Sequence, residues 1–442
     1  MGSVAKLLSR DRLRTLWYEN TKVAENYVFM TLLQVLNMCF YLIIYPFLIR
    51  RLGAEGYGLY AYAWSMMAIV MAVVNFGFDL PNAKKVAEIV GTNIRGKKVL
   101  SEEQKAAIGD VLSCVQTAKT GVEIAVLAVY IVLLYYVPVM RDNNLIFSIA
   151  FIQTLTCILF PQWYFQGIQR MRVVTIVQVV AKVCSLPFIF VWVKTPADVW
   201  LFMLISSLTS VIGGMAAWLI IRYKDQIIIR FVHPARCRSY YREALPFFLT
   251  NAMGIVKEQG IVLLVGGFLG MANVAVYDLA NKIVTVPRIL LLQMNNALYP
   301  KVVVEQSSSA IKKIMRSEVV LSLIVVALLA ATGRWIVLLF AGESLLGAYP
   351  VSVLLSLTIL FWMLGTAYIN FIFIPSGNSY LVTINQLISM VVCLSVSVIW
   401  LMTAPSVYAV VVGLVLSGLA EVVFCTIVTR RKHLLEVRGT WR

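Results

Sequence analysis

Residues 344–420 read SLLGAYPVSVLLSLTILFWMLGTAYINFIFIPSGNSYLVTINQLISMVVCLSVSVIWLMTAPSVYAVVVGLVLSGLA, and this stretch decides the class of fold. Across its 77 residues, tyrosine and cysteine are the only side chains that can ionise. Pro350, the Pro375–Asn378 turn and the Ala404–Pro405 pair divide it into three apolar runs. Since a helix needs about 20 apolar residues to cross roughly 30 Å of hydrocarbon, the stretch predicts three transmembrane helices.

The remainder of the chain repeats this pattern. Of the 442 residues, 60% are hydrophobic and 13% are charged, a balance too apolar for a soluble protein of this length. The apolar runs do not alternate over about ten residues, as the strands of a β-barrel would. The sequence therefore predicts an all-α membrane protein with twelve transmembrane helices in two six-helix bundles. The predicted spans lie near residues 26–49, 57–79, 120–140, 144–167, 173–193, 199–221, 245–269, 272–298, 318–340, 351–374, 380–403 and 407–429.

The basic residues decide the predicted orientation in the membrane. Of the 38 Lys and Arg residues, 29 fall in segments that share a side with the N-terminus, and four fall in the opposite loops. Because cytoplasmic loops are enriched in Lys and Arg, both termini are predicted to lie on the cytoplasmic side of a bacterial inner membrane. This asymmetry explains most of the net charge of +17 without a nucleic-acid partner. The four outer basic residues are Arg50, Arg51, Arg141 and Lys194.

Polar segments divide the chain into predicted domains. These are a cytoplasmic N-terminal segment at 1–25, a six-helix bundle at 26–221, a cytoplasmic linker at 222–244, a second six-helix bundle at 245–429 and a cytoplasmic tail at 430–442. Another long polar segment, 80–119, combines basic and aliphatic residues. We expect it to form an amphipathic helix that rests on anionic lipid headgroups.

Polar residues inside the spans carry the functional prediction, because each intramembrane charge costs about 2.5–3.5 kcal/mol even on insertion scales. The eighth span, 272–298, is the most informative. At about 100° per residue, its polar side chains fall within one arc of about 140° over a length of about 27 Å. Such a stripe must face protein or water rather than lipid. Its members are Asp278, Asn281, Lys282, Thr285, Arg288, Asn295 and Asn296.

Three other spans carry a similar polar stripe. The polar members are Thr250, Asn251, Gly254, Lys257 and Glu258 in the seventh span, Asn26, Gln34, Asn37 and Tyr41 in the first, and Asn75 and Asp79 in the second. The four spans hold corresponding positions in the two halves of the chain. We therefore expect them to enclose one central polar cavity, as in transporters built from two repeats.

Basic residues exceed acids in these stripes, and a cationic cavity suits an anionic cargo such as a diphosphate. The candidate diphosphate contacts are Lys257, Lys282, Arg288 and Arg50. The candidate cavity-lining polar residues are Asn26, Gln34, Asn37, Asn75, Asn251, Asn281 and Asn295. The candidates for ion coupling are Asp79, Glu258 and Asp278.

An alternative interpretation of the same charges is mutual neutralisation. Asp278 and Lys282 stand four residues apart with the acid first, which is the favourable order for an ion pair within one helix. Glu258 could pair with a base on a neighbouring helix in the same way. Both interpretations agree that these side chains do not face lipid.

The sequence predicts no cofactor, metal site or catalytic residue. His233 and His433 are the only histidines, and both lie in basic loops. None of the seven cysteines lies in a predicted outer loop, so no disulfide framework is expected. The chain shows no phosphate-binding glycine loop or nucleophile elbow, and its predicted outer loops are too short to carry paired catalytic carboxylates.

Four stretches resemble a known family of membrane carriers. They read PFLIRRLGAEGYGLY at 46–60, NFGFDL with KKVA at 75–80 and 84–87, PQWYFQGIQRM at 161–171, and AVYDLANK at 275–282. Together they resemble polysaccharide repeat-unit flippases of the O-antigen type, in the multidrug/oligosaccharidyl-lipid/polysaccharide exporter superfamily. The third stretch is the most specific. The fourth departs from the family at Ala275, where glycine is usual.

The resemblance implies two lobes around a central V-shaped cavity, working by alternating access. It implies that the cargo is an undecaprenyl-diphosphate-linked oligosaccharide, moved from the cytoplasmic to the periplasmic leaflet for O-antigen or a similar surface polysaccharide. Membrane lipids, a polysaccharide polymerase and a chain-length regulator are the other expected partners. Two alternatives stay open: an ion-coupled multidrug or metabolite exporter of the same superfamily, which a mainly acidic cavity would favour, and a membrane-embedded polysaccharide enzyme.

Overall fold

The computed structural model describes residues 10–91, 100–305, 308–378 and 380–434. The side chains of residues 10–27, 293, 294 and 296–305 lie outside this description. Within the described residues, all regular secondary structure is helical. The predicted all-α class is therefore confirmed.

Fifteen α-helices follow one another along these residues. They are α1 Arg10–Asn75, α2 Asp79–Val90, α3 Glu102–Tyr136, α4 Pro138–Asp142, α5 Asn144–Ile152, α6 Thr156–Leu159, α7 Gln162–Gly167, α8 Met171–Trp192, α9 Val199–Leu219, α10 Arg238–Leu269, α11 Met271–Glu305, α12 Ser308–Ala341, α13 Ala348–Tyr368, α14 Tyr380–Thr403 and α15 Val407–Arg431. Short 3₁₀ turns lie at Gln153–Leu155, Pro196–Asp198, Pro234–Cys237 and Gly342–Leu345, and π-helical turns extend α9 at Ile220–Lys224 and α13 at Ile369–Phe373.

The helices account for twelve membrane spans. Ten helical segments of the described residues are long and apolar enough to cross a bilayer. One of them, Val28–Asn75, is 48 residues long and kinks at Gly53, whose φ of 71° leaves the helical region, so it supplies two spans. The charged helix α11 supplies the twelfth.

Several helices extend beyond the predicted spans, and one predicted span is a broken helix. The third span was expected from residue 120, but α3 begins at Glu102, where Ser101 and Gln104 form a capping box. Hydropathy detects only the apolar part of such a helix. The fourth span is a broken helix, in which α5, a 3₁₀ turn, α6 and α7 succeed one another around Pro161.

The chain divides into two compact units. Unit 1 consists of Met1–Ile44, Val70–Val193 and Trp200–Phe248, and unit 2 of Tyr45–Ile69, Lys194–Val199 and Leu249–Arg442. The hairpin around Gly53 thus belongs with the C-terminal helices. The domain boundaries predicted from the polar linker at 222–244 stay a prediction.

Unit 1 has its core where α2 meets α7. Val86 and Val90 of α2 are buried in one cluster with Trp163 and Phe165 of α7. The approach is close, since a Cβ on Gly167 would lie 2.7 Å from the Cβ of Val86. The expectation that this polar segment rests on lipid headgroups is therefore wrong for α2, because its apolar side packs on protein.

Unit 2 contains a polar zipper, by which we mean the facing rows of small side chains on α14 and α15. The rows repeat every four residues and consist of Asn385, Ser389, Cys393 and Ser397 on α14 and of Gly413, Ser417, Glu421 and Cys425 on α15. A Cβ on Gly413 would lie 2.2 Å from the Oγ of Ser397. At the other end, the Cys425 thiol donates to the Asn385 side-chain oxygen over 3.6 Å. Small residues allow membrane helices to approach this closely.

Gly58 brings the hairpin of α1 against the first residue of α11. A Cβ at position 58 would lie 1.8 Å from the Met271 carbonyl oxygen. Gly58→Ala is expected to cost about 1–3 kcal/mol of stability, because two backbones must separate. Thermal unfolding of the detergent-purified protein measures the loss. Gly267→Ala, where a Cβ meets nothing within 4 Å, is the matched control, and equal midpoints for the two variants would refute the close approach.

Candidate functional site

The charged stripe of α11 forms a compact cluster in unit 2. The Lys282 ammonium pairs with the Asp278 carboxylate one turn earlier, and the Tyr57 hydroxyl donates to the same carboxylate. The ammonium also donates to the Tyr57 hydroxyl over 3.0 Å and lies 4.0 Å from the centre of the Tyr45 ring. The ion pair proposed as an alternative is confirmed. Two tyrosines and one acid thus surround Lys282.

Lys257 of α10 reaches into the polar zipper. Its ammonium donates to Glu421 Oε1 over 2.8 Å and to Ser389 Oγ over 2.9 Å. Only 6% of the Glu421 side chain is exposed, so this pair is deeply buried. Glu421 is a residue that the sequence reasoning missed. It is the first ionisable side chain after the apolar stretch, and a lone carboxylate in an apolar span was the available signal.

Arg288 belongs to the most exposed of these three ion pairs. Its guanidinium donates from Nη2 to Glu258 Oε1 over 3.1 Å and lies 5.1 Å from the centre of the Trp362 ring. The Glu258 side chain is 48% exposed, in contrast to Glu421. An accessible partner can exchange for another anion, whereas a buried partner leaves an unpaired charge behind.

Unit 1 holds two further ammonium groups against predicted polar residues. Lys119 of α3 donates to Asn75 over 2.8 Å and pairs with Asp79 at 3.3 Å. Lys182 of α8 donates to Asn37 over 2.6 Å. The prediction placed Lys119 in a cytoplasmic segment because the apolar run begins only at residue 120. The structure places its side chain inside the protein, almost fully buried.

The remaining predicted site residues take separate positions. Arg50 donates to the Leu339 carbonyl oxygen over 3.0 Å at an exposed site in unit 2. Gln34 and Asn251 are exposed, Asn281 is half-buried and Asn295 is fully buried. The side chain of Asn26 lies outside the part of the chain that is described at this level.

The three acids selected for ion coupling all have a basic partner. Asp79 pairs with Lys119, Glu258 with Arg288, and Asp278 with Lys282. Each pair lies within one unit. An anionic cargo that contacts these bases must therefore compete with a resident carboxylate. Among the described residues, no three His, Cys, Asp or Glu side chains are grouped in a way that could hold a metal ion.

Twelve spanning helices with paired charges inside them define a multi-pass membrane protein of the transporter class, and solved structures share its fold. An inward-facing multidrug resistance MATE-family transporter of the MOP superfamily matches with a TM-score of 0.65 at 14% identity, covering 90% of this chain and 98% of that one. The lipid II flippase MurJ in an inward closed conformation matches with a TM-score of 0.68 at 13% identity, covering 94% and 90%. At these identities the likeness concerns the fold alone.

Sequence comparison identifies the family. Residues 23–303 match the family described as "Polysaccharide biosynthesis protein", and the chain belongs to it. A "Putative O-antigen transporter" of Escherichia coli K12 is 22% identical over 325 residues, which are 73% of this chain and 74% of that protein. A protein of the same description from Shigella dysenteriae is 25% identical over 279 residues, or 63% and 66%. The resemblance to O-antigen-type flippases is thereby confirmed.

The buried Lys257–Glu421 pair is testable by a double-mutant cycle. Glu421→Gln leaves a buried ammonium without its anion, and Lys257→Met leaves a buried carboxylate, so each is expected to cost about 3–5 kcal/mol. The double variant removes both charges and is expected to be more stable than either single variant. Thermal unfolding in detergent provides the measurement. Additive losses in the double variant would show that the two groups do not interact.

Proposed function

We propose that the protein is a flippase for undecaprenyl-diphosphate-linked oligosaccharide repeat units. It moves them from the cytoplasmic to the periplasmic leaflet of a bacterial inner membrane by alternating access, for O-antigen or a similar surface polysaccharide. Membership of the polysaccharide biosynthesis family and the O-antigen transporter relatives support the substrate class. The observation that carries the proposal is Arg288, a guanidinium inside a spanning helix whose resident carboxylate is accessible.

The diphosphate of the cargo binds where Glu258 now sits. A guanidinium presents its donors in a planar fork that matches two phosphate oxygens, and a diphosphate carries more charge than one carboxylate. Glu258 can leave because its side chain is only about half buried by the protein. The Trp362 ring next to the guanidinium limits the directions from which an anion can approach.

The other candidate diphosphate contacts are Lys257, Lys282 and Arg50. They differ in which existing contact must break before the cargo can reach them. Lys257 and Lys282 each hold a more buried acid than Arg288 does, so the cargo reaches them only if those pairs open. Arg50 is exposed and bonded to a backbone oxygen, which a phosphate can replace. The polar side chains predicted to line the cavity serve the sugars, while the lipid tail stays in the bilayer.

Ion coupling follows from the same exchange of partners. When the cargo displaces Glu258 from Arg288, the freed carboxylate becomes available to a proton or a cation, and this links cargo binding to ion binding. Asp79 and Asp278 would act in the same way if their bases moved. The protein performs no covalent chemistry in this scheme. A polysaccharide polymerase and a chain-length regulator act on the delivered unit.

Arg288→Ala is expected to abolish or strongly reduce transport while leaving insertion into the membrane intact, because the accessible guanidinium is lost. Complementation of a flippase-deleted strain, scored for surface polysaccharide, measures transport. Arg334→Ala, an exposed arginine of α12, is the matched control and should complement fully.

Lys257→Ala tests the more buried candidate in the same strain, and transport is expected to fall there too. Wild-type transport by both the Arg288→Ala and the Lys257→Ala variants would discard this assignment of the diphosphate site. Export of cationic dyes without any flippase activity would instead favour the multidrug-exporter alternative.

Both termini are expected to lie in the cytoplasm, since 29 of the 38 basic residues fall in the loops on that side. A reporter that is active only in the cytoplasm should work when fused after residue 442. The same reporter fused after Lys194, in a predicted outer loop, should be inactive. The reverse pattern would place the C-terminus outside the cytoplasm and would contradict the proposed direction of transport.

A further inference from the structure

A third titratable group lies near the Lys119–Asp79 pair of unit 1, and the ion pairs described above do not include it. Glu123 follows Lys119 by one turn of α3, and only 6% of it is exposed. Its Oε1 accepts a hydrogen bond from the Thr154 hydroxyl. Its Oε2 is buried and has no hydrogen-bond partner among the described residues.

The ammonium of Lys119 is fully engaged elsewhere. It donates to Asn75, to Asp79 and to the Cys157 carbonyl oxygen, at 2.8, 3.3 and 3.2 Å. Asp79 has Lys119 as its countercharge, and its side chain is 57% exposed. Glu123, by contrast, is buried, and among the described residues no base pairs with it. A buried carboxylate without a countercharge is too costly to persist, so in this arrangement Glu123 carries a proton.

The titratable groups around Glu123 lie on helices α2, α3 and α6. Lys119 is on the same helix, Asp79 begins α2, and the thiol of Cys157 on α6 is within electrostatic range of all three. Two buried amides on the same elements, Gln116 of α3 and Gln153 of the 3₁₀ turn, also have polar atoms without a partner among the described residues.

We propose that Glu123 is a proton-binding site and that Lys119 changes partner with its protonation. With Glu123 protonated, the ammonium stays on Asp79, as observed. When the proton leaves, the new carboxylate lies one helical turn from Lys119, a spacing at which side chains meet, and the ammonium moves to it. The Lys119–Asp79 and Lys119–Asn75 contacts then break. The site thus converts loss of one proton into movement of one lysine.

The contacts that would break hold the turn between α1 and α2. Asn75 ends α1 and Asp79 begins α2, and between them Phe76 and Gly77 have φ values of 44° and 69°. A Cβ on Gly77 would lie 2.5 Å from the backbone nitrogen of Phe248, and the Phe76 ring stacks on the Phe248 ring at 4.6 Å. Release of Lys119 therefore loosens a turn that is packed on the first turns of α10.

Only one step of this inference rests on the proposed function, namely that loosening the turn drives transport. For a flippase, it supplies a proton as the coupling ion and places the site in unit 1. A buried carboxylic acid can also be detected in the purified full-length protein without any cargo. The two claims can therefore fail separately.

Infrared spectroscopy of the purified protein tests the protonation state. The carbonyl band of protonated carboxylic acids should lose intensity in Glu123→Gln at neutral pH. Glu103→Gln, the same change at an exposed position of the same helix, should match the wild type. A band of equal intensity in all three proteins would overturn the proposal.

The coupling is tested by the pH dependence of lipid-linked oligosaccharide translocation in membrane vesicles. Glu123→Gln keeps Lys119 on Asp79 and should lose the pH dependence, whereas Glu103→Gln should keep it. Thr154→Val removes a donor to the ionised carboxylate and should move the profile to higher pH. A wild-type profile for Glu123→Gln and Thr154→Val overturns the coupling. Absence of translocation by the wild type would instead count against the proposed function and leave the infrared result standing.

Discussion

A charge inside hydrocarbon needs a partner, and the interior of this protein is arranged around that requirement. Lipid tails are as apolar as leucine, so hydrophobic burial does little to join one spanning helix to the next. Polar contacts perform that task here. Lys257 joins α10 to both helices of the polar zipper, and Lys119 joins α3 to the turn between α1 and α2. The same side chains that make a carrier possible therefore hold its helices together.

The pairs differ in how deeply they are buried, and burial sets how easily each pair can exchange partners. The Lys257–Glu421 pair is buried, so opening it leaves two charges in a low-dielectric interior. The Arg288–Glu258 pair is less buried, since 48% of the Glu258 side chain is exposed, and so is Asp79, at 57%. Alternating access requires contacts of the second kind, because states of similar free energy interconvert only where no contact is too strong to break.

Much of the fold could be predicted from sequence because hydropathy and charge asymmetry act locally along the chain. Part of the candidate site was predictable too: the stripe of α11 pointed to Asp278, Lys282 and Arg288. Apart from the Asp278–Lys282 pair within α11, the partners were not predictable. Glu421 lies 164 residues from Lys257, and Tyr57 lies 221 residues from Asp278, and no local pattern joins such positions. Lys119 was assigned to a cytoplasmic segment because the polar first turns of its helix, which begin at a capping box, carry no hydropathy signal.

The sequence by itself determined that the chain spans a membrane with helices, roughly where they lie, and which of them carry polar stripes. Desolvation of each side chain imposes these properties one helix at a time. The tertiary structure decided which base neutralises which acid, and it buried the Glu123 carboxyl without a base beside it. Those facts depend on distances of a few ångströms between helices that are far apart in the chain. Contact and burial decide electrostatic pairing in a low dielectric, and the order of residues along the sequence does not.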